Sequence, residues 1–97
     1  MSSQQNHEEF YRKLRGQLYD TSSWPSEYLY KFIVPTDKDK IAHIQNVFDN
    51  MGAVISTKES RGGNYTSVSI NVKMKSPEMV IEKYREITDH VEGVISL

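Results

Sequence analysis

The amino-acid sequence predicts an α+β fold with strands and helices in the order βαββαβ, preceded by an extra N-terminal helix. Apolar residues recur at helical spacing after residue 36 and again after residue 76, and these two observations indicate the helices. A third indicates the sheet, because apolar and polar residues alternate over residues 65–75 more cleanly than elsewhere in the chain. Proline and glycine separate these segments, as expected between short elements.

Residues 1–23 are predicted to form a polar tail and an amphipathic helix over residues 7–19. Its apolar stripe is Phe10, Leu14 and Leu18, with Tyr11 beside it. The stripe needs an apolar partner, which could lie on the same chain or on a neighbouring copy. The pair Trp24-Pro25 then predicts an extended connector with an aromatic anchor, at the start of a domain over residues 24–97.

The first strand is predicted over residues 28–34, where aromatic and β-branched residues precede Pro35. Thr36 or Asp37 caps the following helix, and Gly52 is expected to end it. The apolar face of this helix consists of Ile41, Ile44, Val47, Phe48 and Met51.

Residues 53–60 and 65–75 are predicted as two strands joined by a hairpin at residues 61–64. The alternation over residues 65–75 predicts one face packed on helices and one polar face. Ser76, Pro77 and Glu78 are typical of a helix start, and Gly93 precedes a last short strand over residues 94–97. An antiparallel sheet with both helices on one face buries these stripes, which is the ferredoxin-like arrangement.

The composition of the chain excludes or disfavours several classes of function. The chain of 97 residues has no cysteine, which excludes disulfides and thiolate chemistry and is typical of a cytoplasmic protein. Its net charge of −1 disfavours binding to a nucleic-acid backbone. No apolar run approaches the roughly 20 residues of a membrane span, and residues 1–6 do not resemble a secretion signal.

The run over residues 60–70, Ser-Arg-Gly-Gly-Asn-Tyr-Thr-Ser-Val-Ser-Ile, resembles the signature of the YbeD-like family of small bacterial proteins. Trp24-Pro25 and Tyr30-Lys31 match two further features of that family. The resemblance covers residues 24–97, whereas the helix before Trp24 departs from the shorter family members. It implies a ferredoxin-like fold similar to ACT-type regulatory domains, and a domain of unknown function.

The candidate binding residues surround the hairpin and the polar sheet face. They are Lys31, Arg61, Gly62, Gly63, Asn64, Tyr65 and Lys73. Two consecutive glycines beside an arginine could bind an anion through backbone N–H groups, although glycines that only provide positive φ explain the same pattern. An RNA-binding sheet would need more exposed aromatic side chains than Tyr65, because Ser67 and Ser69 cannot stack on bases.

No catalytic set is apparent. His7, His43 and His90 are scattered, no nucleophile has an evident base, and neither a metal nor a cofactor is expected. We therefore expect a non-enzymatic regulatory or adaptor module that contacts an unknown protein partner. The alternative is an ACT-like sensor of a small anionic ligand at the sheet face or at a homodimer interface.

Overall fold

The computed structural model describes residues 3–97, so Met1 and Ser2, at the start of the predicted polar tail, lie outside the described residues. Three helices and one four-stranded antiparallel sheet form the fold, which confirms the α+β class. In chain order the elements are α1 (Ser3–Thr21), β1 (Ser26–Pro35), α2 (Lys38–Val47), β2 (Val54–Glu59), β3 (Tyr65–Met74), α3 (Pro77–His90) and β4 (Ile95–Ser96).

The second helix is shorter than the sequence predicts. Asp37 caps its start by accepting hydrogen bonds from the backbone N–H groups of Asp39 and Lys40. The helix ends at Val47, so the prediction that Gly52 ends it is wrong. Both Asn50 and Gly52 have positive φ, at 62° and 71°, and a right-handed helix cannot continue through such residues.

The sheet has the strand order β2-β3-β1-β4, and every neighbouring pair is antiparallel. The long strands β1 and β3 pair along their full length at the centre, with Tyr30 opposite Ile70 and Phe32 opposite Val68. Successive side chains alternate between the faces, so these four residues lie on the helix-covered face and are fully buried.

Tyrosine side chains form much of the core between the sheet and the helices. The Tyr30 ring lies 4.9 Å from the rings of both Phe48 and Tyr84, and its hydroxyl donates to the Val80 carbonyl at 2.9 Å. Burial raises the pKa values of Tyr30 and Tyr84 well above the ordinary tyrosine value. Both therefore stay neutral at physiological pH and keep their hydroxyl protons.

Helix α1 packs on α3, on the same side of the sheet as the other helices. Tyr11 is 6% exposed and stacks on Tyr84 with 6.4 Å between ring centroids, and its hydroxyl lies 3.2 Å from that of Thr88. Phe10 is 57% exposed, so its predicted place in the buried stripe is wrong, whereas Leu18 is buried as predicted. The apolar partner of α1 is thus helix α3 of the same chain.

Charged and polar groups reinforce this contact between α1 and α3. The Arg85 guanidinium donates two hydrogen bonds to the Glu8 carboxylate, and the Tyr19 hydroxyl donates to the Glu78 carboxylate at 2.6 Å. At the end of α1 the indole N–H of Trp24 donates to the Leu18 carbonyl at 3.1 Å. The contacts of Glu8 and Tyr19 with α3 lie near opposite ends of α1 and set its position along α3, whereas the Trp24 bond ties α1 to the connector that follows it.

We expect Ile87→Ala to lower the free energy of unfolding by about 2–5 kcal/mol, because Ile87 is completely buried between α3 and the sheet. Urea titration followed by circular dichroism measures the change. Ile95→Ala is the matched control, since Ile95 is 54% exposed and should change stability by no more than about 0.5 kcal/mol. Equal losses in the two variants would contradict this assignment of the core.

We expect the contact between α1 and α3 to weaken in acid. The hydrogen bond and charge of Arg85 lower the pKa of Glu8 below 4.5, and the hydrogen bond from Tyr19 lowers that of Glu78. Their stabilisation is therefore complete above pH 4.5 and is lost as pH falls through the lowered values.

The fluorescence of Trp24, the only tryptophan, and the hydrogen exchange of α1 amides as functions of pH measure this loss. Glu8→Gln with Glu78→Gln should remove the pH dependence. Glu9→Gln should keep it, because the ion pair of Glu9 found within residues 3–97 is with Arg12 of the same helix, at 3.7 Å. A transition below pH 4.5 that persists unchanged in the double variant would refute the assignment.

Candidate functional site

The face of the sheet that points away from the three helices is the main candidate site, and we call it the open face. Residues of each strand reach it at every second position, because side chains alternate along a strand. Helix α1 lies on the opposite side, so the open face is not covered by it. The residues of the open face are Glu27, Leu29, Lys31, Ile33, Pro35, Val54, Ser56, Lys58, Tyr65, Ser67, Ser69, Asn71, Lys73, Ile95 and Leu97.

Lys31 lies near the centre of the open face. It is opposite Ser69 on β3, and its carbonyl accepts a hydrogen bond from the N–H of Leu97 at 2.9 Å. Ile33, two residues along β1, pairs with Ile95 on β4. Short distances separate direct and diagonal neighbours on a sheet face, so the lysine stem is surrounded by aliphatic side chains.

The open face is more apolar than the sequence predicts. Seven large hydrophobic side chains are at least half exposed in the described part of the chain, and five of them lie on this face. They are Leu29, Val54, Tyr65, Ile95 and Leu97, with exposures of 50–72%. The prediction of a polar face holds along β3, but the strands on both sides of β3 add aliphatic side chains.

The charge of the open face is positive. Glu27 lies opposite Lys73 at one end of the sheet, whereas Lys31 and Lys58 lie opposite Ser69 and Ser67. The ion pairs found within residues 3–97 are formed by other side chains. The ammonium groups of Lys31 and Lys58 are therefore free to meet an anionic partner.

The structure brings only some of the predicted site residues together. Residues 61–64 form the hairpin beside Tyr65, and Lys31 lies on the same face at mid-strand. Lys73 is at the other end of β3, so roughly 26 Å of strand separates it from Tyr65. The predicted set thus spans the whole face, and its role in binding stays a prediction.

The hairpin itself has the geometry of a tight turn. Gly62 and Gly63 have φ values of 87° and 75°, in the region that favours glycine. The N–H of Gly63 donates to the Ser60 carbonyl at 2.8 Å, and the N–H of Ser60 donates to the Tyr65 carbonyl at 2.7 Å. The turn that these bonds close contains the positive φ values of both glycines, so the turn explains the glycines without a ligand.

Two arrangements had no signal in the sequence. His43 of α2 and His90 of α3 lie with ring centroids 6.0 Å apart, although 47 positions separate them in the chain. No group of three potential metal ligands is found among residues 3–97. The second arrangement is a cavity of about 420 Å³ lined by three lysines and three methionines, at the end of β3.

A family model described as "Protein of unknown function (DUF493)" matches residues 20–96. The matched segment begins at the end of α1 and includes all four strands of the described structure. No curated protein and no solved structure matches the chain. None of the helices within residues 3–97 is sufficiently long and apolar to cross a membrane.

We expect Gly62→Ala to lower the free energy of unfolding by about 1–2 kcal/mol, because alanine disfavours the left-handed region. A methyl group there meets no atom within 4 Å, so the effect is purely conformational. Gly16→Ala is the matched control, since it adds the same methyl group in open space on helix α1 and should raise stability by up to about 1 kcal/mol. Urea unfolding measures whether each variant gains or loses stability. An unchanged free energy of unfolding in Gly62→Ala would contradict the turn geometry.

Proposed function

Because the chain belongs to the DUF493 family, whose function is unknown, we propose a function from its own residues. That family is the YbeD-like family, so the resemblance of residues 60–70 is confirmed. We propose that the protein is a small, non-enzymatic regulatory or adaptor module that acts in the cytoplasm. Its open face would bind a segment of another protein.

The observation that supports this proposal is the concentration of exposed apolar side chains on the open face. Contiguous exposed apolar surface that is bordered by polar residues is typical of protein interaction sites. Leu29, Ile95 and Leu97 lie around Lys31, and each is more than half exposed. The remaining exposed large hydrophobics, Phe10 and Tyr19, are on α1, where Tyr19 already bonds Glu78.

The charge of the open face favours an acidic amphipathic segment as its partner. Aliphatic side chains of such a segment would cover Leu29 and Ile95, while its carboxylates would reach Lys31 and Lys58. A second copy of this chain suits the face poorly. Two copies that dock face to face around a central two-fold axis would bring their Lys31 ammonium groups together, which is unfavourable.

The polar groups of the open face also favour binding over catalysis. Its hydroxyls belong to serines and to Tyr65, and the Ser67 hydroxyl donates to the Lys58 carbonyl at 3.3 Å. An activated serine needs an imidazole or another base within hydrogen-bond distance. The open face has no histidine among its side chains, and within residues 3–97 no serine hydroxyl of this face is hydrogen-bonded to a basic side chain.

We further propose that the domain has the ferredoxin-like arrangement, with α1 as an addition to it. The strand order β2-β3-β1-β4 and the position of α2 and α3 on one face support this proposal. The ACT-like alternative, a sensor of small ligands, predicts instead that metabolites raise the thermal stability of the protein.

We expect Leu29→Ser with Ile95→Ser to weaken partner binding at least about tenfold, equivalent to about 1.4 kcal/mol. A crosslinkable residue at position 29 would first identify the partner and the segment that it contributes. Binding of that synthetic segment to the purified chain is then measured by biolayer interferometry. Lys31→Glu should weaken binding as well, and more strongly at low salt, because the segment is expected to be acidic.

Phe10→Ser is the matched control, and it is compared with Leu29→Ser alone, because it removes one equally exposed apolar side chain from α1. This control should bind with unchanged affinity. Loss of partner binding in the α1 variant alone would place the binding site on that helix and overturn the proposal. So would a crosslinked segment that carries no acidic residues.

A further inference from the structure

A cavity of about 420 Å³ lies where the turn after α2 meets the connection between β3 and α3. We call it the lysine cavity, and it is separate from the centre of the open face. It is lined by Asn50, Met51, Lys73, Met74, Lys75, Met79 and Lys83. Its size is typical of sites that hold a small molecule, for which volumes of about 300–1,000 Å³ are usual.

The charge of the lysine cavity is unusual for a chain whose net charge is −1. Three lysines line it, and no acidic residue does. Two acidic residues neighbour the lining lysines, because the Glu86 carboxylate lies 3.5 Å from the Nζ of Lys83 and Glu27 on β1 lies opposite Lys73. Glu78, in the first turn of α3, is engaged with Tyr19 and does not line the cavity.

Lys83 is held in place before any ligand binds. Its side chain is only 16% exposed, and its ammonium group donates to the Val47 carbonyl at 3.1 Å, at the end of α2. The other two lysines flank the buried Met74 at the end of β3 and are exposed. The ammonium group of Lys83 is held in place and those of the other two lysines can move, so together they can contact an anion from several directions.

The methionines give the cavity an apolar and adaptable wall. Met51 and Met79 are partly buried, and each thioether chain can change rotamer to fit an apolar group. Together with Asn50, which can donate from its amide, they would contact the part of a ligand that carries no charge. The lining therefore favours a molecule with an anionic end and an apolar body.

We propose that the lysine cavity binds a small phosphate monoester that carries an apolar group. A phosphate monoester has a charge near −2 at neutral pH and offers three oxygens, so each ammonium can meet a different one. A single carboxylate matches the forked geometry of arginine better than three point charges. This site is independent of the protein partner proposed for the open face.

The test uses the full chain labelled with ¹³C in its methionine methyl groups and titrated with phenyl phosphate. We expect saturable shifts of the Met51 and Met79 methyl signals. Lys73→Gln with Lys75→Gln should weaken this binding at least fivefold. Both lysines are exposed, so the variant should fold, and its thermal unfolding is compared with that of the unaltered chain.

Lys13→Gln with Lys38→Gln is the matched control, because it removes the same charge from two exposed lysines that do not line the cavity. This control should bind phenyl phosphate with unchanged affinity. Equal weakening in both double variants would mean a general charge effect and would overturn the proposal. The proposal would also fail if phenol alone, or benzoate, produced the same saturable shifts as phenyl phosphate.

A phosphate monoester also occurs as the headgroup of phosphatidic acid, and sedimentation with vesicles that contain this lipid distinguishes the two sources. Sedimentation that is lost in the Lys73 and Lys75 variant would assign the site to the lipid headgroup. Its absence, with phenyl phosphate bound, would assign the site to a soluble ligand. Both results depend on Lys73 and Lys75 at the end of β3, whereas binding at the centre of the open face is tested by the Leu29 and Ile95 variants.

Discussion

The contact of Tyr11 with Tyr84 determines which surfaces of this protein are exposed. The two rings stack, and the Tyr11 hydroxyl lies against Thr88 one turn further along α3. Helix α1 therefore extends the helical layer and leaves the opposite face of the sheet free. Had the apolar side of α1 packed on Leu29 and Ile33 instead, the proposed partner site would have been covered.

The two proposed sites differ because the fold places different chemistry at the centre and at the end of the sheet. At the centre, aliphatic side chains surround Lys31 on a broad surface, which suits a segment of another protein. At the end of β3, Lys73 and Lys75 meet Lys83 in a concave site, which suits a small anion. Both sites use lysine side chains in a chain that is nearly neutral overall, although in the second site Lys83 pairs with Glu86 and Lys73 lies opposite Glu27.

Much of the fold follows from local pattern. Strand β3 was predicted almost to the residue, because alternation over ten positions is compatible only with a half-buried strand. The start of α3 was predicted for the same kind of reason, since Ser76 accepts from the N–H of Met79 and Pro77 opens the helix.

The residues of the candidate site were predicted less well than the fold. Leu29 and Ile33 were recognised on the open face, but Ile95 and Leu97 join them only through the pairing of β4 with β1.

The sequence by itself determined the α+β class, the order of the elements, the two faces of β3 and the family, because all four depend on periodicity or on a local motif. The tertiary structure decided where α1 lies, which of Phe10 and Tyr11 is buried, and that Lys83 joins Lys73. These facts depend on contacts between residues far apart in the chain. Such contacts follow from packing in three dimensions, which spacing along the sequence does not specify.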